Sequence, residues 1–262
     1  MKVAGIQADL VWENPLTNFA RIAPRIAEAA RGGARLVALP EMFPTGFSLD
    51  APRIAEPERG PGAQFLRAQA RTHGVTVVGS VATRPSDGGK AQNLGMVASP
   101  DGSVARYAKI HPFSFGGESE HYRGGDAPLT VTVEGVRTTL LICYDLRFPE
   151  LFAALADRTD LFVVIASWPT PRREHWVTLL KARAIECVAY VMGCNRVGSG
   201  GGLDYLGDSV IFSPSGDVVA DADPGVEAVF AGEIDAARVA ELRRTFPVLA
   251  DRRPSLYRSF AP

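Results

Sequence analysis

The longest apolar runs in this sequence, such as Leu161 to Ala166 (LFVVIA), are the length of a β-strand, and they alternate with stretches whose apolar residues recur every three or four positions. A chain patterned this way must cover buried strands with helices, which points to a layered α/β architecture. A strand at Lys2 to Ala8 leads into a helix near Pro15 to Ala30, with Asn14 placed to cap it and Pro15 in its first turn. Phe19, Ile22, Ala23, Ile26, Ala27 and Ala30 fall on one face of that helix, and Gly32 and Gly33 stop it. Arg35 to Pro40 reads as a buried strand that delivers Glu41 into a loop rich in turn formers. A helix at Ala63 to His73, a strand at Val75 to Thr83 and two strands around Pro100-Asp101-Gly102 follow. A second hairpin joins Leu129 to Val133 with Arg137 to Cys143, and a helix begins near Pro149.

Beyond this point the alternation repeats. Leu161 to Ser167 reads as a strand, Glu174 to Ala189 as a helix and Tyr190 to Asn195 as a strand. Two short strands, Ser209 to Phe212 and Val218 to Ala222, flank Pro214-Ser215-Gly216; a strand at Ala228 to Ile234 and a helix at Ala236 to Thr245 close the pattern. No linker or shift in composition divides the chain. It is read as one domain over residues 1–245, with 246–262, carrying Pro247 and Pro254, as an extended C-terminal arm of the same domain. The glycine run Gly198 to Gly202 is expected to be a flexible loop.

Charge and cysteine usage narrow the function classes. The 28 basic and 29 acidic residues are nearly balanced and form no long block of one sign, which argues against a nucleic-acid binder. No apolar run approaches a membrane span, and Asp9 and Glu13 interrupt the N-terminal apolar stretch before it could act as an export signal, so a cytoplasmic protein is expected. Cys143, Cys187 and Cys194 are too sparse for a disulfide framework and read as free thiols. The four histidines lack ligand-pair spacing and no Cys-x-x-Cys occurs, so neither a metal nor any other cofactor is expected. Gly-x-Ser-x-Gly, Gly-x-Gly-x-x-Gly and Walker loops are absent too.

Three positions carry candidate chemistry. Cys143 ends an apolar strand and precedes a helix, a bend where backbone N–H groups favour thiolate; the alternative is a cysteine acting as a small buried hydrophobe. Glu41 ends a buried strand, where desolvation makes a carboxylate a better base, unless it is a solvated loop acid. Lys109 in Tyr107-Ala108-Lys109-Ile110-His111 is by itself indistinguishable from a surface lysine. Cys187 and Cys194 fall within helix and strand patterns and read as core.

Taken in order, Leu39-Pro40-Glu41, Lys109-Ile110-His111 and Cys143-Tyr144-Asp145-Leu146-Arg147-Phe148-Pro149-Glu150 resemble the nitrilase superfamily of carbon-nitrogen hydrolases. Ala182 to Glu186, Gly193-Cys194-Asn195-Arg196, Gly207-Asp208-Ser209 and Pro214-Ser215-Gly216 extend the resemblance over nearly the whole chain. It implies a single-domain, four-layer α-β-β-α sandwich of two mixed sheets, paired into a homodimer or higher homo-oligomer. It further implies Cys143 as nucleophile, Glu41 as general base and acid, and Lys109 with the Tyr144 backbone N–H as stabilisers of the oxyanion. Glu118 matches a second glutamate that orients the lysine or assists proton movement. One departure is Pro112 after His111, where relatives often carry Leu; proline removes a donor there and biases His111 toward extended geometry.

Tyr144-Asp145 looks like the amidase branches rather than true nitrilases. Glu41-Met42-Phe43, Thr45-Gly46-Phe47, Trp168-Pro169 and His175-Trp176 resemble the omega-amidase group, which implies a small linear amide such as 2-oxoglutaramate as substrate. Tyr144, Phe47, Trp168 and His175 are then the substrate-binding candidates, with Phe43 as a further wall. Arg147, Arg172 or Arg173 could grip the free carboxylate of such a substrate. Rival readings are an amidase for deaminated glutathione or an N-carbamoyl compound, a non-catalytic binding module on the same fold, and a metal-dependent hydrolase.

Overall fold

The alternating pattern of the N-terminal half is realised as one sheet in the computed structural model, which describes residues 1–260. That half supplies β1 (Lys2–Gln7), β2 (Leu36–Ala38), β3 (Glu56–Pro57), β4 (Thr76–Arg84), β5 (Gln92–Ala98) and β6 (Val104–Ala108). The second half supplies β7 (Leu129–Val133), β8 (Val136–Ile142), β9 (Leu161–Ala166), β10 (Tyr190–Asn195), β11 (Val197–Gly200), β12 (Leu203–Leu206), β13 (Val210–Phe212), β14 (Val218–Asp221) and β15 (Ala228–Glu233). The first sheet runs β15-β1-β2-β4-β5-β6 with β3 against β4, and the second runs β14-β13-β10-β9-β8-β7. Both have the same plan, three parallel strands in the centre (β1-β2-β4 and β8-β9-β10) and antiparallel neighbours outside.

The helices are α1 (Pro15–Arg31), α2 (Ala51–Ile54), α3 (Pro61–His73), α4 (Glu118–His121), α5 (Pro149–Leu155), α6 (Arg173–Cys187), α7 (Ala236–Thr245) and α8 (Pro254–Arg258). Asn14 caps α1 by accepting from the Thr17 N–H at 3.1 Å. Side-chain alternation along the strands builds the layers. Val3, Leu36, Ala38 and Val78 join the core between the sheets, whereas Ala4, Ile6, Val37, Leu39 and Val77 pack with Ile22 and Ile26 of α1 and Leu66 and Ala70 of α3. On the far side, Trp176, Leu180 and Ala184 of α6 join the core with β10. This is the four-layer sandwich, each buried aliphatic side chain contributing about 1.5–3 kcal/mol. The sheets approach closely at glycines: a Cβ on Gly95 would lie 2.8 Å from Leu140 of the facing sheet.

Two expectations need correction. The glycine run is no flexible loop but the end of the β11–β12 hairpin, because Gly201 and Gly202 (φ +59° and +77°) supply the left-handed turn and the Trp12 ring lies against Gly201. Residues 246–260 are turns plus the short helix α8 rather than extended chain. Pro254 sits at the start of α8, where its missing N–H costs nothing and its fixed φ suits a helix. Residues 261–262 of the expected arm lie outside the described residues.

Candidate active site

Strand ends position the candidate chemistry. The parallel strands β2, β8 and β9 finish on one edge of the sandwich, and Glu41, Cys143 and Ser167 follow them directly or after two residues. Lys109 follows the last residue of β6. Crevices beyond the carboxyl ends of parallel strands are the usual place for ligand sites in α/β folds. Here ends from both sheets meet in one cleft, lined by Glu41, Lys109, Cys143 and Tyr144 together with aromatic and cationic side chains.

At its floor is a buried ionic network. Lys109 Nζ donates to Glu41 Oε1 at 3.0 Å and to Glu118 Oε2 at 2.7 Å. Asn93 Nδ2 donates to Glu41 Oε1 at 2.7 Å and reaches Glu118 Oε1 at 3.4 Å, while the Ser167 N–H donates to Glu41 Oε2 at 2.9 Å. The Phe113 N–H donates to Glu118 Oε2 at 2.5 Å. Both glutamates are fully buried and Lys109 is 2% exposed, so the cost of desolvating three charges is offset by these contacts. Burial opposes charge on Lys109, yet Glu118 and Glu41 hold its pKa well above the ordinary lysine range. Burial raises the Glu118 carboxyl against the pull of the same ammonium.

Cys143 follows β8 at φ +47°, a left-handed conformation rare outside glycine, and opens a 3₁₀ turn, Cys143–Arg147. It is half-buried. Burial first, and then the facing Glu41 carboxylate, pushes its thiol well above the usual cysteine range, with Lys109 acting in the opposite sense. Burial among these charges thus opposes the thiolate that the start of a helix alone would favour. Cys187 and Cys194 are buried core thiols, as their patterns suggested, both pushed up to about 12 by burial.

The structure thus brings Glu41, Lys109, Glu118 and Cys143 together. Phe47, Tyr144 and Trp168 also line the cleft. Phe43 does not: it is wholly buried against Phe19 and Phe65 beneath the helices, because the positive φ of Met42 turns the chain there. His175 does not line the cleft either; it lies on α6 with Nδ1 at 3.1 Å from Arg147 Nη2. Of the three arginines, Arg147 and Arg172 line the cleft, the first over the Trp168 ring and the second over Phe113, while Arg173 is spent on Asp208 at 2.8 Å.

Several lining or supporting residues were not picked out from the sequence. Asn93 is one; its signal was a buried amide entering an otherwise apolar strand. Leu203 and Tyr205 arrive on the β11–β12 hairpin, stiffened by buried Arg196, whose Nη2 donates to Leu10 O at 3.0 Å and Ser199 O at 2.9 Å.

The sequence profile of the carbon-nitrogen hydrolase family matches residues 2–244. The chain belongs to this family. It is 36% identical over 252 residues to the omega-amidase YafV of Escherichia coli K12, covering 96% of each chain. It is 33% identical over 259 residues to the 2-oxoglutaramate amidase of Bacillus subtilis 168, covering 97% of this chain and 98% of the relative. A mutant of the amidase from Nesterenkonia sp. AN1, solved with acrylamide added to its active-site cysteine, superimposes with a TM-score of 0.89 at 25% identity over the whole of both chains. Family and fold neighbours together make this carbon-nitrogen hydrolase a thiol-dependent amidase.

Proposed function

We propose that this amidase removes ammonia from the terminal amide of a small linear acid whose other end is a carboxylate, with 2-oxoglutaramate as the type substrate. The observation that carries this reading is the pair Arg147 and Arg172. Both line the cleft that ends at Cys143, and among the described residues neither has a carboxylate within 4 Å. Two guanidinium groups held over aromatic rings beside an apolar wall suit a planar anion, which an arginine fork binds in bidentate fashion. The names of the Escherichia coli and Bacillus subtilis relatives agree with such a substrate.

In this reading the Cys143 sulfur attacks the amide carbon while Glu41 takes the thiol proton, so thiolate forms only as the new bond does. The carbonyl oxygen becomes an oxyanion held by the Tyr144 N–H and the third Lys109 N–H, the other two being spent on Glu41 and Glu118. Glu41 returns its proton to the nitrogen, ammonia leaves, and an acyl thioester remains. Water then attacks the thioester carbon as Glu41 accepts its proton. Collapse releases the acid, and the sulfur regains a proton from Glu41. Glu118 keeps the ammonium charged and aimed throughout.

Ammonia release from 2-oxoglutaramate, succinamate, deaminated glutathione, an N-carbamoyl amino acid and butyramide tests the substrate class. The two omega-amides should lead, and butyramide, lacking the carboxylate, should trail by at least about tenfold in kcat/KM, the worth of one charge-assisted contact. Preference for deaminated glutathione or the carbamoyl compound would replace the reading.

A further inference from the structure

Asp145 is fully buried two residues beyond Cys143, yet no step above uses it. Its carboxylate accepts four hydrogen bonds. Oδ2 takes the Tyr107 hydroxyl at 2.6 Å and the Ile142 N–H at 3.0 Å; Oδ1 takes the His111 N–H at 3.0 Å and His111 Nδ1 at 2.9 Å. A buried carboxylate is tolerated only with such a set of donors. The donors come from two places that matter to the chemistry. Ile142 immediately precedes the nucleophile, whereas Tyr107 and His111 stand two residues before and two after Lys109. Burial and the facing carboxylate hold the Tyr107 hydroxyl far above the ordinary phenol range, so it remains a donor.

We propose that Asp145 is a positioning residue that clamps the strained nucleophile turn to the lysine segment, setting the distance and angle between the Cys143 sulfur and the Lys109 ammonium. It ties residue 142 to residues 107 and 111 across the two sheets, and so holds Cys143 in its left-handed conformation against relaxation. It also fixes His111 with its proton on Nδ1, the ring stacked on Phe148 at 3.6 Å between centroids.

Asp145→Asn tests the clamp without changing its volume. Whichever way the amide is turned, its NH₂ group meets a backbone N–H, that of Ile142 or that of His111, so one side of the clamp must open. The role depends on the amidase chemistry proposed above, so two assays are used. In steady state, with sites counted by titration, kcat should fall by about 10- to 100-fold, as expected of a displacement near 1 Å, while KM stays within about threefold. Without any substrate, alkylation of Cys143 by iodoacetamide should slow in parallel and its pH profile should shift. Tyr107→Phe removes one donor and should give a smaller loss, about 3- to 10-fold, in the same two readouts. A folded Asp145→Asn protein with unchanged kcat and alkylation rate, or one changed only in KM, overturns the proposal. If that variant does not fold, unchanged kcat and alkylation in Tyr107→Phe overturn it instead. Should the wild type ignore omega-amides, the alkylation rates still decide the matter alone.

Discussion

Lys109→Met removes the one cation that stands between Glu41 and Glu118 and keeps roughly the same volume. At contact distances of 3.0 and 2.7 Å and an effective dielectric near 20, each ion pair carries about 6 kcal/mol of Coulomb energy, most of it cancelled by desolvation. Deleting one partner of a buried pair leaves the desolvation uncompensated, so the net loss at pH 8 should be about 3–5 kcal/mol. For a domain of this size that lowers Tm by about 10 °C. The loss must depend on pH. Without the ammonium the two carboxylates cannot both stay ionised cheaply, and the shared pKa rises. A raised acid pKa means stability present at low pH and lost as pH increases, so at pH 5, with one carboxylate protonated, the deficit should shrink to about half. The assay is thermal unfolding of wild type and variant at pH 5 and pH 8, with kcat measured alongside and expected to fall by about 10²- to 10³-fold. An equal Tm deficit at both pH values, or none, refutes the account of Lys109 as the neutralising centre of two charged carboxylates.

Three further outcomes follow from the same geometry. Asn93→Asp replaces a 2.7 Å donor to Glu41 by a third acid, so the acidic limb of the pH profile of kcat/KM should move up by about one unit; an unmoved limb would remove Asn93 from the network. Glu56 is raised to about 6 by burial, despite accepting from the Gly62 and Ala63 N–H groups at the start of α3. Its stabilising contribution is present below about 4.5 and lost as pH rises through about 6, so Glu56→Gln should gain about 1 kcal/mol at pH 8 after allowance for solvent screening, and nothing at pH 4, by denaturant titration. His175→Ala should raise KM for an omega-amide about threefold to tenfold with little change in kcat, because it frees Arg147 from its 3.1 Å partner; loss in kcat alone would place His175 elsewhere in the chemistry.

Residues that end strands were the legible ones. Glu41 and Cys143 each follow an apolar run, so the pattern that located the strands also located them; Lys109, after the mixed strand Val104–Ala108, was singled out only when the family resemblance joined the three into one set. Residues that enter the cleft through packing were not legible. Tyr205 depends on a hairpin whose glycines look the same, as sequence, as those of a loose loop. His175 and Arg147 lie 28 residues apart and meet only because α6 packs beside the nucleophile turn, and Phe43 was drawn to the cleft by its neighbours although the turn at Met42 sends it under the helices. The upward push on the thiol was also out of reach, since it comes from burial among charges contributed by three separate segments.

Because the cleft straddles the two sheets, no contiguous half of the polypeptide owns a working set of groups. Glu41 and the Ser167 amide that holds it are 126 residues apart along the chain. Turnover should therefore be the last property gained during refolding and the first lost when the halves slip, before helical content changes, which makes it a sensitive gauge of how firmly the two layers are seated.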